Sequence, residues 1–547
     1  MATDFDAVVI GSGAGGGMAA WTLAARGWKV ALLEKGRNPW PRLDSPTPSG
    51  SLLGNDEIKG ERFYGYHDPF IEPRTFSAGD GGKVTTGAVQ GLGVALGGGT
   101  VFYDADCPRI TDADTRLLTT FGAVEGADVV DWPIHYADLA PYLDETERLI
   151  GVQGQAGADP FAEARGAYPM PPGYPPKAGM MLARAARSLG LHPHPMPMGI
   201  NSTFYRGRPA CTNCGYCHFG CPVDAKASTA VTVIRDALQT GNVTVLAECC
   251  VVGIDTEPSG AHATGVRYLD AEGALQTLTA RHVVVATNAI ETPRLLLAST
   301  SAAHPNGLGN GSGLVGRYLM FHVNFEAIGV FPFDVRSYRG RIVTHALADF
   351  TVKPDGADAG WVRGGYVELG GQIRPVAEAK RVPWRLAKAL MVDGGYMYRI
   401  ASVAMMGEDM PQRSNRVELD PKVRDVYGRP VARVVYARHA HDQAVVDRYM
   451  PKLEEIARAA GATEVMPIDD GATGIPDTKH LLGTCRMGTD AAASVTDAWG
   501  RLHEVDNVWI ADGSTWPTST AFNPTLTQMA LAYRTAAYMA SPEDPRP

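Results

Sequence analysis

Apolar and polar positions fall into two regimes along the chain. Near the N-terminus, Ala7–Ile10 is a short apolar run bounded by glycine, too short for a helix, and predicts a strand buried on both faces. A helix-like run from Met18 to Arg26 follows and ends at Gly27, and Trp28–Leu33 predicts a second buried strand. Farther on, Val231–Leu246 reads as helix then strand, and Val283–Ala286 as another buried strand. From about residue 320 to 465 the pattern changes to short alternating segments, as at Tyr366–Ile373 and Arg399–Ala404, and closes with a helical stretch, Asp442–Ala460. That change predicts an antiparallel sheet with helices, distinct from the parallel βαβ lobe. Residues 38–82 are rich in Pro, Gly and aromatics without periodicity and read as an extended covering excursion.

The first strand leads into AVVIGSGAGGG (7–17), where Gly11, Gly13 and Gly16 stand in GxGxxG register with Ser12 and Ala14 between them. Gly11 permits a tight turn, Gly13 lets the backbone approach a pyrophosphate, and Gly16 lets the helix pack on its strand. The helix N-terminus adds free N–H groups and a partial positive charge. Glu34 ends the second strand about 23 residues after Gly11, placed to accept hydrogen bonds from an adenosine ribose. A lone GxGxxG is a weak signal; strand, helix, second strand and acid in order make a dinucleotide turn. The turn does not choose between NAD and FAD, which share the ADP half.

At 547 residues and 45% hydrophobic, the chain can bury the cores of two lobes or more. A net charge of −9 gives no general attraction to nucleic acid or an anionic membrane. The longest apolar runs are of strand or short-helix length, so no membrane span is expected. Met1 leads almost directly into the first strand without an apolar leader, which predicts a cytoplasmic chain, with export only alongside a partner. Of eight cysteines, four fall in one window, Cys211, Cys214, Cys217 and Cys221, spaced CxxCxxCxxxC and followed by Pro222. That is the spacing of bacterial ferredoxins, whose fourth cysteine usually serves a second cluster; no second run exists here. One iron–sulfur cluster, a zinc ion and a metal-free loop all remain open. Cys107, Cys249, Cys250 and Cys485 read as small buried hydrophobes.

Four segments carry a family resemblance. GLGVALGGGTVFYDAD (91–106), with the N-terminal turn, resembles the first signature of the glucose–methanol–choline (GMC) oxidoreductases. TNAIETPRLLL (287–297) is similar to the second, with Asn288 where small residues are usual. TKHLLGTCRMG (478–488) and NVWIADGSTWPTSTAFNPTLT (507–527) resemble the catalytic and flavin-closing segments. The resemblance spans essentially the whole chain and implies an α/β fold: a Rossmann-like FAD-binding lobe, as in p-hydroxybenzoate hydroxylase, and an α+β substrate lobe on an antiparallel sheet. Residues 1–320 would be mainly the FAD lobe with excursions at 38–82 and 108–225, 321–465 the substrate lobe, and 466–547 the return to the FAD lobe. It implies that Gly97, Gly98 and Gly99 lie against the flavin, and that Asp512 and Gly513 sit near its ribityl and pyrophosphate. No histidine stands between His67 and His135, where some members attach FAD covalently, so non-covalent FAD is implied.

The implied reaction is oxidation of an alcohol to a carbonyl compound. An imidazole suits the hydroxyl proton at neutral pH, and His480 matches the family's catalytic histidine. Asn523 matches the second position; it cannot titrate, so its role is to hold and orient the substrate oxygen. Asn523-Pro524-Thr525 also reads as a helix start, with Asn as N-cap and Pro at N1, aiming a positive helix end at the flavin. The resemblance extends to bacterial flavin sugar dehydrogenase catalytic subunits, which hold an iron–sulfur cluster in the corresponding loop with different spacing, and to long-chain alcohol oxidases, which show a similar loop and no cluster. Electrons could accordingly leave to oxygen, a quinone, a cytochrome-type acceptor or a partner subunit. Two other readings are a GMC-type lyase that keeps FAD as scaffold and an electron-transfer flavoprotein.

Overall fold

Parallel pairing builds the first sheet of the computed structural model, which describes residues 3–40, 42–44, 71–87, 92–353, 362–371, 384–471, 474 and 478–547. Most of the 38–82 excursion, Gly91, and the end of Tyr366–Ile373 beyond Gly371 lie outside the described residues. Phe5–Ile10 pairs with Val30–Glu34 on one side and with the distal half of Leu275–Val285 on the other. Val243–Ala247 extends the sheet outward from Val30–Glu34, and Val508–Ile510 joins Leu275–Val285. The proximal half of Leu275–Val285 pairs antiparallel with Ala263–Leu269, and that strand with Cys250–Thr256, which completes seven strands.

Register fixes where this sheet can work. Ile10 lies opposite Leu33 and Val285, and Val285 opposite Ile510, so four strands end level. The chain leaves them at Gly11, Glu34, Ala286 and Ala511, on the carboxyl edge where open α/β sheets bind ligands. The helix after the first strand, Ala14–Ala25, is buried over most of its surface, which is why its sequence lacks a clean polar stripe. Gly11 has φ +93°, and a Cβ on Gly16 would lie 1.9 Å from the Gly11 carbonyl oxygen. A Cβ on Gly15 would lie 1.6 Å from the Ala511 carbonyl oxygen, so the first helix and the C-terminal segment meet backbone to backbone. The C-terminal helix, Thr525–Ala540, packs on the same helix, with Trp21 and Tyr533 edge-on at 5.5 Å.

A six-stranded antiparallel sheet forms the second layer, in the order Glu464–Asp469, His322–Val330, Ile400–Glu408, Gly365–Gly370, Val343–Leu347 and His194–Pro195. Alternation decides its two faces. Val323, Phe325, Val367, Leu369, Val403 and Met405 point into a core closed by helices Lys177–Ser188 and Ala440–Ala459. The intervening residues, among them His322, Asn324, Glu326, Tyr366 and Glu368, belong to the opposite face. A smaller sheet joins Arg416–Arg424, Pro430–Tyr436, Arg74–Ala78 and Val84–Gly87. Among the described residues no helix is long and apolar enough to cross a membrane.

The glycine contacts predict a contrast. Gly15→Ala forces backbone against backbone and is expected to cost about 2 kcal/mol or more of stability. Gly13 has φ −65° and no atom within 4 Å of an added Cβ, so Gly13→Ala should cost within about 1 kcal/mol. Thermal denaturation of the flavin-free proteins checks both; equal losses would contradict the packing account.

Candidate active site

The carboxyl edge of the parallel sheet is braced before any ligand arrives. Ser12 donates to Glu34 Oε2 from its backbone N at 3.1 Å and its Oγ at 2.6 Å, while Glu34 Oε1 accepts from Gly36 N at 2.8 Å. Glu34 therefore holds the turn from the end of the second strand. Ser12 Oγ also accepts from Gly97 N at 2.9 Å, which ties Gly97–Gly99 to the first turn. Gly98, at φ +53°, approaches so closely that a Cβ would lie 2.8 Å from Gly13 Cα. Thr229 completes the joint by donating to Ser12 O at 2.8 Å. By contrast Gly13 and Gly99 have nothing within 4 Å of an added Cβ; their bare backbone bounds open space. This is a cradle that side chains would fill, and it fits a dinucleotide laid across Gly11, Ser12, Gly13 and Ala14 toward Gly97–Gly99.

Asp512 sits at the end of Val508–Ile510 with both carboxylate oxygens engaged. Oδ1 accepts from Ser514 N and Oγ, and Oδ2 from Asn288 N and Thr292 Oγ1, at 2.5–2.9 Å. It thus caps the Gly513–Thr515 turn and joins it to helix Asn288–Ala298. Burial raises its carboxyl above the ordinary range. Asn288, the residue that departs from the family pattern, has φ +83°, and its Oδ1 accepts from Ile290 N and Glu291 N. Asn tolerates this left-handed backbone and also supplies the helix-capping oxygen.

The expected cap at the last helix is corrected. Pro524, not Asn523, is the N-cap of Thr525–Ala540, and Gln528 N donates to Pro524 O at 2.8 Å. The Asn523 side chain is drawn instead to Glu368, with Nδ2 donating to Oε1 at 2.8 Å. Its Oδ1 is buried without a partner among the described residues. Thr525, Leu526 and Thr527 still present the helix's first N–H groups.

His480 and Asn523 reach the same region from two chain segments anchored to the antiparallel sheet. Met320 and Leu482 exchange backbone hydrogen bonds at 2.9 and 3.0 Å, and two residues outward along that antiparallel bridge His322 meets His480. Their rings are edge-on at 4.8 Å with Nδ1 atoms 2.8 Å apart, and His322 Nε2 lies 3.1 Å from the carbonyl oxygen of Thr520, three residues before Asn523. Burial lowers both imidazoles, His480 well below its ordinary value and His322 to about 4. Burial likewise raises Glu368 to about 7, against the Asn523 hydrogen bond, which pulls it down. The sequence pattern singles out neither His322 nor Glu368, although alternation along their strands assigns both to one face.

Cys211, Cys214, Cys217 and Cys221 line one pocket, with Lys226 and Gly340 in its wall. Three buried cations adjoin them, and all end on neutral oxygens. Lys226 Nζ donates to the carbonyls of Val101, Tyr103 and Cys217, and Arg208 to those of Ile150, Asp224 and Ala225. Arg341 donates to Gln153 Oε1 and the carbonyls of Gly173 and Tyr174, and its buried Nε has no partner among the described residues. Burial lowers the pKa of all three, opposed by Cys217 and Cys221 at Lys226, Cys221 at Arg208, and Cys211 and Cys217 at Arg341. Nearby Asp104 is spent on His218 at 2.6 Å. Among the described residues no three His, Cys, Asp or Glu side chains are arranged to hold a metal ion. Burial raises the Cys211 and Cys217 thiols, and Asp104, Asp106 and Asp224 also lie near the three cations; the fit to a thiolate-bound centre rests on the donor set of four thiols, and a cluster spreads its ligand sulfurs across an inorganic core, wider than one ion does.

Comparison with known proteins now identifies the assembly. The GMC oxidoreductase family descriptions match residues 83–324 and 411–532, and an FAD-binding domain matches residues 6–39. The chain is 33% identical over 548 residues to 2-methyl-1,2-propanediol dehydrogenase of Mycolicibacterium austroafricanum, covering 98% of this chain and 95% of that one. It is 33% identical over 551 residues to 6'''-hydroxyparomomycin C oxidase of Streptomyces lividus, covering 98% and 91%. Its fold matches the crystal structure of pyridoxine 4-oxidase from Mesorbium loti with a TM-score of 0.63 at 18% identity, over 97% and 98% of the two chains. The glycine cradle at the parallel-sheet edge and these full-length matches lead to one conclusion: the chain belongs to the GMC oxidoreductases, as an FAD-dependent enzyme acting on CH–OH groups.

Proposed function

We propose that His480 is the base that takes the hydroxyl proton of the alcohol, with Asn523 holding the substrate oxygen. The single observation that carries this is the placement of His480: Nδ1 is engaged by His322, Nε2 has no partner among the described residues, and burial keeps the ring neutral. A neutral imidazole with one open nitrogen can accept a proton. Asn523 has one N–H committed to Glu368, which leaves its second N–H and unpartnered Oδ1 for the substrate hydroxyl. The Gly11–Gly16 turn, Gly97–Gly99 and the N-terminus of Thr525–Ala540 would hold FAD without a covalent bond, and the flavin would supply the hydride acceptor. The alcohol thus loses a hydride and a proton and leaves as the carbonyl compound.

For the outward path we propose that Cys211, Cys214, Cys217 and Cys221 hold an iron–sulfur cluster and that the external acceptor is a quinone, dye or cytochrome rather than oxygen. The convergence of all four cysteines on one pocket, with Lys226 in its wall, supports this reading. A cluster there would supply a one-electron relay. The oxidase reading moves ahead if the pocket holds no metal.

Four outcomes test these assignments. His480→Ala should retain FAD while flavin reduction by substrate falls by about 10²–10⁴-fold, the scale of losing a general base; an unchanged rate removes His480 from the mechanism. Asn523→Ala should cost less, since it loses an orienting hydrogen bond. Anaerobically purified protein should carry iron and acid-labile sulfide, and Cys217→Ser should stop transfer to dyes while sparing flavin reduction; metal-free protein with full dye activity contradicts the cluster. Glu368 is raised in the fold, so the native state holds a proton that the unfolded chain releases between about pH 4.3 and pH 7. Its contribution therefore makes stability fall as pH rises through that window, and Glu368→Gln should flatten the fall in a pH series of melting temperatures.

A further inference from the structure

The hydrogen bonds around His322 determine which nitrogen of His480 is open. The Thr520 carbonyl can only accept, so the 3.1 Å contact requires a hydrogen on His322 Nε2. Burial holds His322 neutral, so its Nδ1 is then a bare acceptor. The 2.8 Å contact between the Nδ1 atoms must be donated by His480, which puts the His480 hydrogen on Nδ1 and the lone pair on Nε2. We propose that His322 is a positioning residue that fixes His480 in the Nδ1–H tautomer and so presents Nε2 as the proton acceptor; this rests on the reading of His480 as the base.

Independent features hold the relay in place. Thr520 is β-branched yet has φ +63°, a strained backbone that persists only when its surroundings enforce it. Its neighbour Ser519 is fixed at both ends, its Oγ accepting from Asp409 N at 2.8 Å and donating to Asp409 O at 3.1 Å. His322 is bound into the sheet, opposite Glu408, and the bridge between Met320 and Leu482 sets the spacing of the two rings. Of the charged groups nearby, Arg363 pairs with Asp114 and with Glu408 Oε2 at 2.8 and 2.9 Å, and Asp409 Oδ2 accepts from Phe321 N and Tyr436 Oη, while Glu408 Oε1 and Asp409 Oδ1 have no partner among the described residues. None of these contacts supplies His480 Nδ1 with an alternative acceptor. When His480 Nε2 takes the substrate proton, the resulting cation keeps its Nδ1–H bond to the neutral His322, so orientation is preserved through proton transfer.

The test uses the flavin-loaded enzyme with ¹⁵N-labelled histidine. His322→Phe keeps a ring and removes the acceptor; His322→Gln restores an acceptor and a donor. Expected are an Nδ1–H signal for His480 in the wild type and its loss or mixing with Nε2–H in His322→Phe. Flavin content should be kept, kcat should fall about 10–100-fold with little change in KM, and His322→Gln should recover part of it. Wild-type protein showing His480 as Nε2–H, or His322→Phe with wild-type kcat while His480→Ala is impaired, overturns the proposal and leaves His480 as base intact. If His480→Ala is unimpaired, the reading beneath it has failed instead.

Discussion

Level strand ends on the parallel sheet are the constraint on which this structure depends. Because Ile10, Leu33, Val285 and Ile510 finish in register, four segments far apart in the chain must turn at one edge. There is then no room to spare, within the first turn at Gly16 on the Gly11 carbonyl and between segments at Gly15 on the Ala511 carbonyl and Gly98 on Gly13. Glycine is required at these contacts because backbone meets backbone. Where the same turns leave open space, at Gly13 and Gly99, the space takes the shape of a cofactor cradle.

The second wall follows from a different regularity. Period-two alternation sends Val323, Phe325, Val367 and Leu369 into the helix-covered core and leaves His322, Asn324, Glu326 and Glu368 on the other face. Burial acts on His322, His480 and Glu368 in one direction, toward neutrality: it lowers the imidazoles and raises the carboxyl. A site of neutral imidazoles beside a carboxyl whose pKa is raised suits chemistry in which a proton is taken up near neutral pH.

Much of the fold was legible because it rests on local rules. Apolar runs marked the strands of the parallel sheet, GxGxxG marked the turn, and alternation marked the second sheet. The failures came where a distant partner overruled a local preference. Asn523-Pro524 has the composition of a cap followed by N1, but Glu368, 155 residues away in sequence, takes the Asn side chain, and Pro524 becomes the cap. His322 and His480 are 158 residues apart and meet only through the Met320–Leu482 bridge, which no periodicity reports. The family departure at Asn288 is explained by its positive φ and capping oxygen. Cysteine spacing named a ligand type, while the buried cations near the pocket, Lys226, Arg208 and Arg341, lie outside the spacing pattern.

The central claim is that an alcohol C–H bond is broken with a half-buried neutral imidazole receiving the hydroxyl proton. The most direct measurement is anaerobic rapid mixing of the holoenzyme with an alcohol that bleaches its flavin, unlabelled and deuterated at the carbinol carbon, followed by flavin bleaching across pH. Because burial lowers His480, it is unprotonated throughout the range above its ordinary pKa of about 6.5, and its acid limb lies below that value. The account predicts bleaching slowed by carbinol deuteration and independent of pH above about 6.5. Bleaching that ignores the deuterium and rises steadily from pH 6.5 to 9 would contradict it.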